Sequence, residues 1–398
     1  MNKTVNVCFP IFLIIYELAV NLSNDMYLPA VSHMIQFFKT DNYFIQLTLT
    51  AWFAGAMAMN PLLGILSDHL GRKKFLLGSG FIFLMATLYC ALPTNIYLFL
   101  FARFMQGVTV TSVVVGGYAL IHEIYNDRQA IMMISWMSGA LITAPMLGPL
   151  LGGYIIHLWG WRYIFLVLFL IATIALLGLY QFMPKIGQLK SNKINFKEEL
   201  ITYAKIIGNK KFIFGSLTYA FLFGGVILWI AASPFLILVQ QQFTPLDYGF
   251  MQIPVFGSFI LGIFLLKIMM RLSLSQETII FIGIGILLVT IMMGMALLFQ
   301  NEIAISWLVF LMSIYSLAFG LISSPINRIT VTSLKYGMGK IMAMFDLIFG
   351  ILATVATMLV NTHSYTLGKQ FTCLIAVFIF LAIIVYFLQY KLVDNTSR

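Results

Sequence analysis

The stretch CFPIFLIIYELAVNLSNDMYLPAV, residues 8–31, is long and apolar enough to cross a membrane, yet it carries two carboxylates and two amides. About 20 predominantly apolar residues suffice for a membrane-spanning helix. Glu17, Asn21, Asn24 and Asp25 stand at i, i+4, i+7 and i+8, within an arc of roughly 100° on one helical face. Ile14, Ile15, Leu18, Ala19 and Leu22 leave the remaining surface apolar. Ionisable groups are costly in lipid, so such a stripe faces a hydrated cavity within a bundle. A polar network that holds helices together is the plainer alternative. Both readings require partner helices.

Those partners follow along the chain. Apolar runs of similar length lie near 44–66, 75–94, 97–121, 129–153 and 162–183. Six more lie near 212–238, 248–270, 276–299, 304–327, 340–362 and 368–390. The expected fold is an all-α membrane protein with 12 transmembrane helices in two six-helix halves, residues 1–183 and 212–398, joined by a polar linker over 184–211. Residues 196–207 read as a short amphipathic helix on the membrane surface. Pro29 and Pro234 each break the first helix of their half near its outer end.

Composition supports this reading. The chain is 61% apolar and 9% charged, against roughly 25% charged in soluble chains, which excludes a water-soluble monomer. Its 36 Phe, 18 Tyr and 6 Trp exclude disorder. With the N-terminus inside, 19 of the 23 Lys and Arg fall in cytoplasmic segments, three fall outside and Arg103 lies within a span. This asymmetry places both termini in the cytoplasm. It explains the net charge of +10 through topology and anionic lipid, with no role for nucleic acid. The three cysteines are far apart and lie in apolar runs, which reads as free buried thiols without a metal site or disulfide. A glycine-rich phosphate loop is absent from the sequence, so the chain itself is not expected to hydrolyse ATP, and energy, if used, is expected from an ion gradient. His33, His122 and His157 lie near span ends without a nucleophile–base signature, so an enzyme is not expected.

Two duplicated halves suggest a transporter whose substrate site lies between them. Asp25 lies about 8 Å below the outer end of its span and Arg103 about 9 Å below the same side, so a charge pair between them is reasonable. Glu17 lies about 12 Å deeper along the helix. It is the candidate for holding a proton, while protonation of Asp25 depends on Arg103. Asp346 lies about 9 Å inside the eleventh span from its cytoplasmic end. It reads either as a further proton or cation site, or as a structural residue that snorkels to the cytoplasm or pairs with Lys340.

Local patterns then resemble a known family. Gly64-Ile65-Leu66-Ser67-Asp68-His69-Leu70-Gly71-Arg72-Lys73-Lys74 resembles the loop signature of the major facilitator superfamily. In it Gly64 and Gly71 allow close packing and a tight turn. Asp68 and Arg72 act at a cytoplasmic gate, with Glu123 and Asp127 as plausible partners for Arg72. Arg103-Phe104-Met105-Gln106-Gly107 resembles the superfamily's fourth-helix motif. Ala144 to Gly153 resembles its antiporter motif, with Pro145 and Pro149 bending the helix and Gly148, Gly152 and Gly153 set for close contact with a helix of the other half.

Tyr16-Glu17, Asn24-Asp25-Met26, Gly117-Tyr118-Ala119, Trp229-Ile230-Ala231 and Ser313-Ile314-Tyr315 extend the likeness to the superfamily's MdfA-type multidrug/proton antiporters. That resemblance implies Glu17 and Asp25 as proton- and substrate-responsive acids and Arg103 as their conformational partner. It implies Asn21, Asn24, Ile227 and Trp229 at or near a drug cavity. Asn21 and Asp346 depart from the group's pattern, where a tyrosine and a small residue stand.

The expected function is a proton-coupled secondary antiporter that exports structurally varied amphipathic compounds by alternating access. Its partners would be lipophilic cationic and neutral small molecules, protons and membrane lipid. The proton would be the coupling ion, with no other cofactor and no metal. The expected setting is a monomer in the bacterial cytoplasmic (inner) membrane. Export of one endogenous metabolite or siderophore is the alternative within transport, and a non-transporting receptor or sensor is the alternative outside it.

Overall fold

The computed structural model describes residues 8–58, 70–125, 127–184, 196–334, 336, 338–360 and 366–397. Among these, all regular structure is helical. The chain divides into two compact units, Met1–Asn192 with Thr244–Gly249, and Lys193–Phe243 with Phe250–Arg398.

Unit 1 contains α1 (Cys8–Asp25), α2 (Val31–Phe38), α3 (Asn42–Ala58), α4 (Arg72–Ala91), α5 (Ile96–Ser112), α6 (Ala119–Ile124), α7 (Asp127–Trp159) and α8 (Arg162–Phe182). Helix α1 packs against α7 and α8, α3 against α5, and α4 against α5 and α8. The first span is interrupted after Asp25 and resumes through a 3-10 turn, Leu28–Ala30. Pro29 accounts for the break: it offers no N–H, and its ring opposes the carbonyl four residues earlier, that of Asp25. The expected fourth span is divided into α5, a π-helical stretch Val113–Tyr118, and α6. The fifth runs to Trp159, beyond its expected end, with Pro145 and Pro149 inside one continuous helix. In a bundle, neighbouring groups re-satisfy the carbonyls that proline frees.

The start of α4 shows how a cytoplasmic loop turns into a helix. Gly71 has φ 80°, a left-handed conformation that suits a residue without Cβ. Two residues on, Lys73 Nζ donates to the carbonyls of Tyr180 and Met183 at 2.7 and 2.6 Å. These belong to the otherwise unpaired C-terminal turn of α8, where a cation also complements the helix dipole.

Unit 2 contains α9 (Phe196–Ile207), α10 (Lys210–Pro234), most of α11 (Pro245–Arg271), α12 (Gln276–Leu298), α13 (Ile305–Val331), α14 (Met338–Leu359) and α15 (Leu367–Ser397). Helix α10 is central, packing on α13, α14 and α15. Pro234 ends it, and a π-helical turn, Phe235–Gln240, follows. Helix α9 occupies the expected 196–207, but it does not lie free on a membrane surface. Ile206 is fully buried with Phe212, Ile341 and Phe345, so α9 docks on its own unit.

Nine of the described helices are long and apolar enough to span a membrane. Their outward faces carry Phe81, Tyr180 and Met292 at 61%, 70% and 71% exposure, a surface that suits lipid and not water. Because lipid is as apolar as a leucine side chain, close packing and polar contacts hold the helices together. None of the three cysteines forms a disulfide, and only Cys90 is buried. Cys8 and Cys373 are exposed on their helices, which corrects the expectation that all three are enclosed.

Candidate functional site

The break in the first span creates the site. Helix α1 ends at Asp25, so its last carbonyls lack helical partners. Arg103, fully buried on α5, reaches one of them: Nη1 donates to Ser23 O at 2.9 Å. The same nitrogen donates to Gln106 Oε1 at 2.8 Å, and Nη2 donates to Asn24 Oδ1 at 3.4 Å. Gln106 passes the network on through Nε2 to Thr87 Oγ1 at 2.8 Å. The guanidinium lies 4.2 Å from the centroid of the Tyr27 ring, whose hydroxyl lies 3.0 Å from Thr48 Oγ1. One cation thus joins α1, α4 and α5, caps a helix C-terminus and stacks on an aromatic face.

Asp25 connects to this network indirectly. Asn24 Nδ2 donates to Asp25 Oδ1 at 3.2 Å, while Asn24 Oδ1 accepts from Arg103. Asp25 and Arg103 interact electrostatically, but among the described residues they make no direct salt bridge and are joined by an amide relay. The cause is geometric: Arg103 is committed to Ser23 and Gln106, and Asn24 occupies the space between the charges. Glu17, Asn24 and Asp25 are 4%, 5% and 6% exposed. Asn21 is partly exposed and donates to the Glu17 carbonyl one turn back at 2.9 Å. The stripe therefore combines the two readings of it. Asn24 holds helices together, Asp25 lies enclosed beside it, and Glu17 lies enclosed about two turns back along the same helix.

The glycines of the antiporter motif meet this same segment. A Cβ on Gly148 would stand 2.9 Å from Asp25 Cβ, and one on Gly152 would strike the Met26 carbonyl. Both therefore press α7 onto the broken part of the first span, within unit 1. For these two glycines the expectation of a helix of the other half is corrected; for Gly153 it holds, because Pro245 opens α11 within the expected half 212–398. Gly153 approaches the Pro245 carbonyl, in the segment Thr244–Gly249 that belongs to unit 1. Pro145 and Pro149 lie in α7, Pro149 buried and Pro145 partly so.

In unit 2, Ile227 and Trp229 are 1% and 0% exposed. Trp229 donates Nε1–H to Gln252 Oε1 at 2.8 Å and packs 5.6 Å from the Phe371 ring. Asp346 lies on α14, partly buried, in electrostatic contact with Tyr219. Neither an ion pair with Lys340 nor a hydrogen bond to Asp346 occurs among the described residues. Of the gate residues, Arg72 opens α4. Asp68 and Gly64 lie outside the described residues, and Glu123 lies in α6 with its side chain outside them.

The family model of the Major Facilitator Superfamily matches residues 13–358. The chain belongs to the major facilitator superfamily. It is accordingly a membrane transporter and not an enzyme, and a multi-pass protein of the bacterial cytoplasmic membrane. Among curated relatives, "Multidrug transporter MdfA" of Edwardsiella piscicida is 30% identical, over 98% of this chain and 96% of the relative. The protein of the same name from Escherichia coli O6:H1 is 28% identical, again over 98% and 96%. Among solved structures, a bacterial homologue of the human lysosomal transporter Spinster, inward-facing and unoccupied, aligns with TM-score 0.76 at 12% identity, covering 98% of both chains. A D-xylose–proton symporter aligns with TM-score 0.74 at 15% identity, over 95% of this chain and 97% of that one. These two show the superfamily fold.

Sequence reasoning missed several parts of the superfamily member's site. The Ser23 carbonyl leaves no mark on a residue pattern. Gln106 had a usable signal, since it stands three residues after Arg103 on one apolar helix and so shares its face. Tyr27 and Thr87 had none, because their role depends on which helices meet.

Proposed function

We propose that this chain is a proton-coupled antiporter that exports structurally varied amphipathic molecules, cationic and neutral. The observation that carries the reading is the pair of enclosed carboxylates on the first helix, Asp25 at its break and Glu17 about two turns back, with Asp25 joined to Arg103 through Asn24. A buried carboxylate without a proton needs a counter-charge, and a proton or a cationic substrate each supplies one. Competition between them for one site is the basis of exchange. A substrate that disturbs Asn24 would alter the link to Arg103, and through it the contact between α1 and α5. That is a route from occupancy to helix movement, and so to alternating access of the site from the two sides of the membrane. Tight packing of Gly148 and Gly152 on the same segment would carry that movement to α7. The name borne by the curated relatives supports a multidrug substrate range.

The test is transport in proteoliposomes with an imposed pH gradient. The expected result is flux of unrelated drugs that collapses with the gradient, and proton release when a drug is added to the purified protein. Flux of one compound alone would favour a dedicated exporter. Binding without flux would favour a receptor, and either result would overturn the proposal.

A further inference from the structure

Unit 2 has a feature that proton exchange at Glu17 and Asp25 does not use. Six aromatic rings from four helices, Tyr219 among them, form one cluster. The Tyr219 ring centroid lies 4.9 Å from Phe345, 5.7 Å from Phe319, 6.1 Å from Phe349 and 6.4 Å from Phe223. Phe223 is 5.2 Å from Phe349, and Phe259 is 5.5 Å from Phe319. Phe319 and Phe345 are buried at 3% and 2% exposure and form a floor. Tyr219, Phe223, Phe259 and Phe349 keep part of their surface exposed. Asp346 stands beside them, between Phe345 and Phe349 in sequence, partly exposed and in electrostatic contact with Tyr219. Among the described residues this carboxyl has no hydrogen bond or ion pair, so a bound cation would serve as its counter-charge.

The geometry points to a site for a lipophilic organic cation in unit 2, made by these rings and Asp346. Ring faces attract cations whose charge is spread over carbon-bound groups, most strongly when desolvated, and quaternary ammonium ligands are held in aromatic cages for this reason. The carboxylate supplies the counter-charge. A hard metal ion does not fit, because it requires six or more oxygen ligands and one carboxylate offers two. Among the described residues, no group of three His, Cys, Asp or Glu is placed to hold a metal. The basic groups on the elements packed here lie at a distance along their helices. Lys340 is six residues from Asp346 on α14, Lys211 is eight from Tyr219 on α10, and Arg328 is nine from Phe319 on α13. The proposal deepens the transport reading by naming a substrate class, and as a substrate site it rests on that reading.

Binding in detergent tests it separately from flux. The probes are tetraphenylphosphonium and its uncharged counterpart triphenylphosphine oxide, measured by equilibrium dialysis on the purified full chain, both as wild type and in a Glu17→Gln background. Asp346→Asn keeps the shape and removes the charge. It is expected to weaken tetraphenylphosphonium about tenfold in both backgrounds while changing the neutral probe less than about twofold. Phe349→Leu is expected to weaken the cation about fivefold, and Phe349→Tyr to restore it. An unchanged cation affinity in Asp346→Asn would overturn the proposal, as would equal loss of both probes. Loss of the Asp346 effect in the Glu17→Gln background would also overturn it, because the effect would then belong to Glu17. If Asp346-dependent binding is present but proteoliposomes show no proton-driven flux, the transport reading fails and the site stands. If flux is normal and the Asp346 dependence is missing, the site fails and the transport reading stands.

Discussion

At the residue scale, Arg103 carries the most demands. Its planar fork serves Ser23 O, Gln106 Oε1 and Asn24 Oδ1 at once, and its face stacks on Tyr27. A lysine is a point charge that cannot reach all three acceptors. Arg103→Lys is therefore expected to cost about 2 kcal/mol, near the value of one charge-assisted hydrogen bond, and a thermal unfolding series in detergent measures it. Asn24→Ala removes the relay and keeps the guanidinium's other two bonds. Its expected signature is functional: thermal stability within about 1 kcal/mol of wild type, with drug-induced proton release strongly reduced. Normal proton release in Asn24→Ala would show that Asp25 acts without Arg103. The two acids also differ. Glu17→Gln is expected to impair export of cationic drugs and spare neutral ones, because a neutral ligand needs no buried counter-charge. Asp25→Asn is expected to impair both. Equal loss of both drug classes in Glu17→Gln would contradict that division.

At the element scale, the contact of α7 with the broken first span is set by small residues. Gly152 leaves room for the Met26 carbonyl and Gly148 for Asp25. Gly152→Ala places a methyl against backbone that cannot rotate away, so α7 has to move. Overpacking of this kind costs about 1–3 kcal/mol, and transport is expected to fall with it. Gly78 on α4 is the control, since nothing lies within 4 Å of an added Cβ there. Gly78→Ala is expected to be neutral or to stabilise by up to about 1 kcal/mol, from helix propensity alone. Parallel measurements of unfolding and drug efflux on the two variants separate packing from propensity.

At the scale of the whole molecule, the distribution of Lys and Arg makes a topological prediction. The exposed turn between α4 and α5 is assigned to the outside and the turn between α11 and α12 to the cytoplasm. With the native cysteines replaced, Thr94→Cys is expected to react with a membrane-impermeant thiol reagent in intact cells. Ser273→Cys is expected to react only after permeabilisation. The reverse pattern would invert the orientation and the assignment of the gate to the cytoplasmic face.

The sequence by itself determined the solvent, the helical class and the positions of the intramembrane charges. Those properties depend on local composition and on a period of 3.6 residues, both written along one segment at a time. The break at Pro29 was equally legible, because a missing N–H is a property of one residue. Partners across helices were decided only by tertiary structure. Asp25 and Arg103 lie at similar depths, which suggested a pair, but Asn24 stands between them and Arg103 is held by Ser23 and Gln106. Gly148 and Gly152 announced close packing without naming the helix they meet. The rings clustered with Tyr219 come from α10, α11, α13 and α14, and only the i, i+4 pairs Tyr219/Phe223 and Phe345/Phe349 hinted at them. Spacing along a chain fixes which face a residue shares. It does not fix which face of another helix arrives opposite, because close packing in an apolar solvent depends on the shapes of all the helices together.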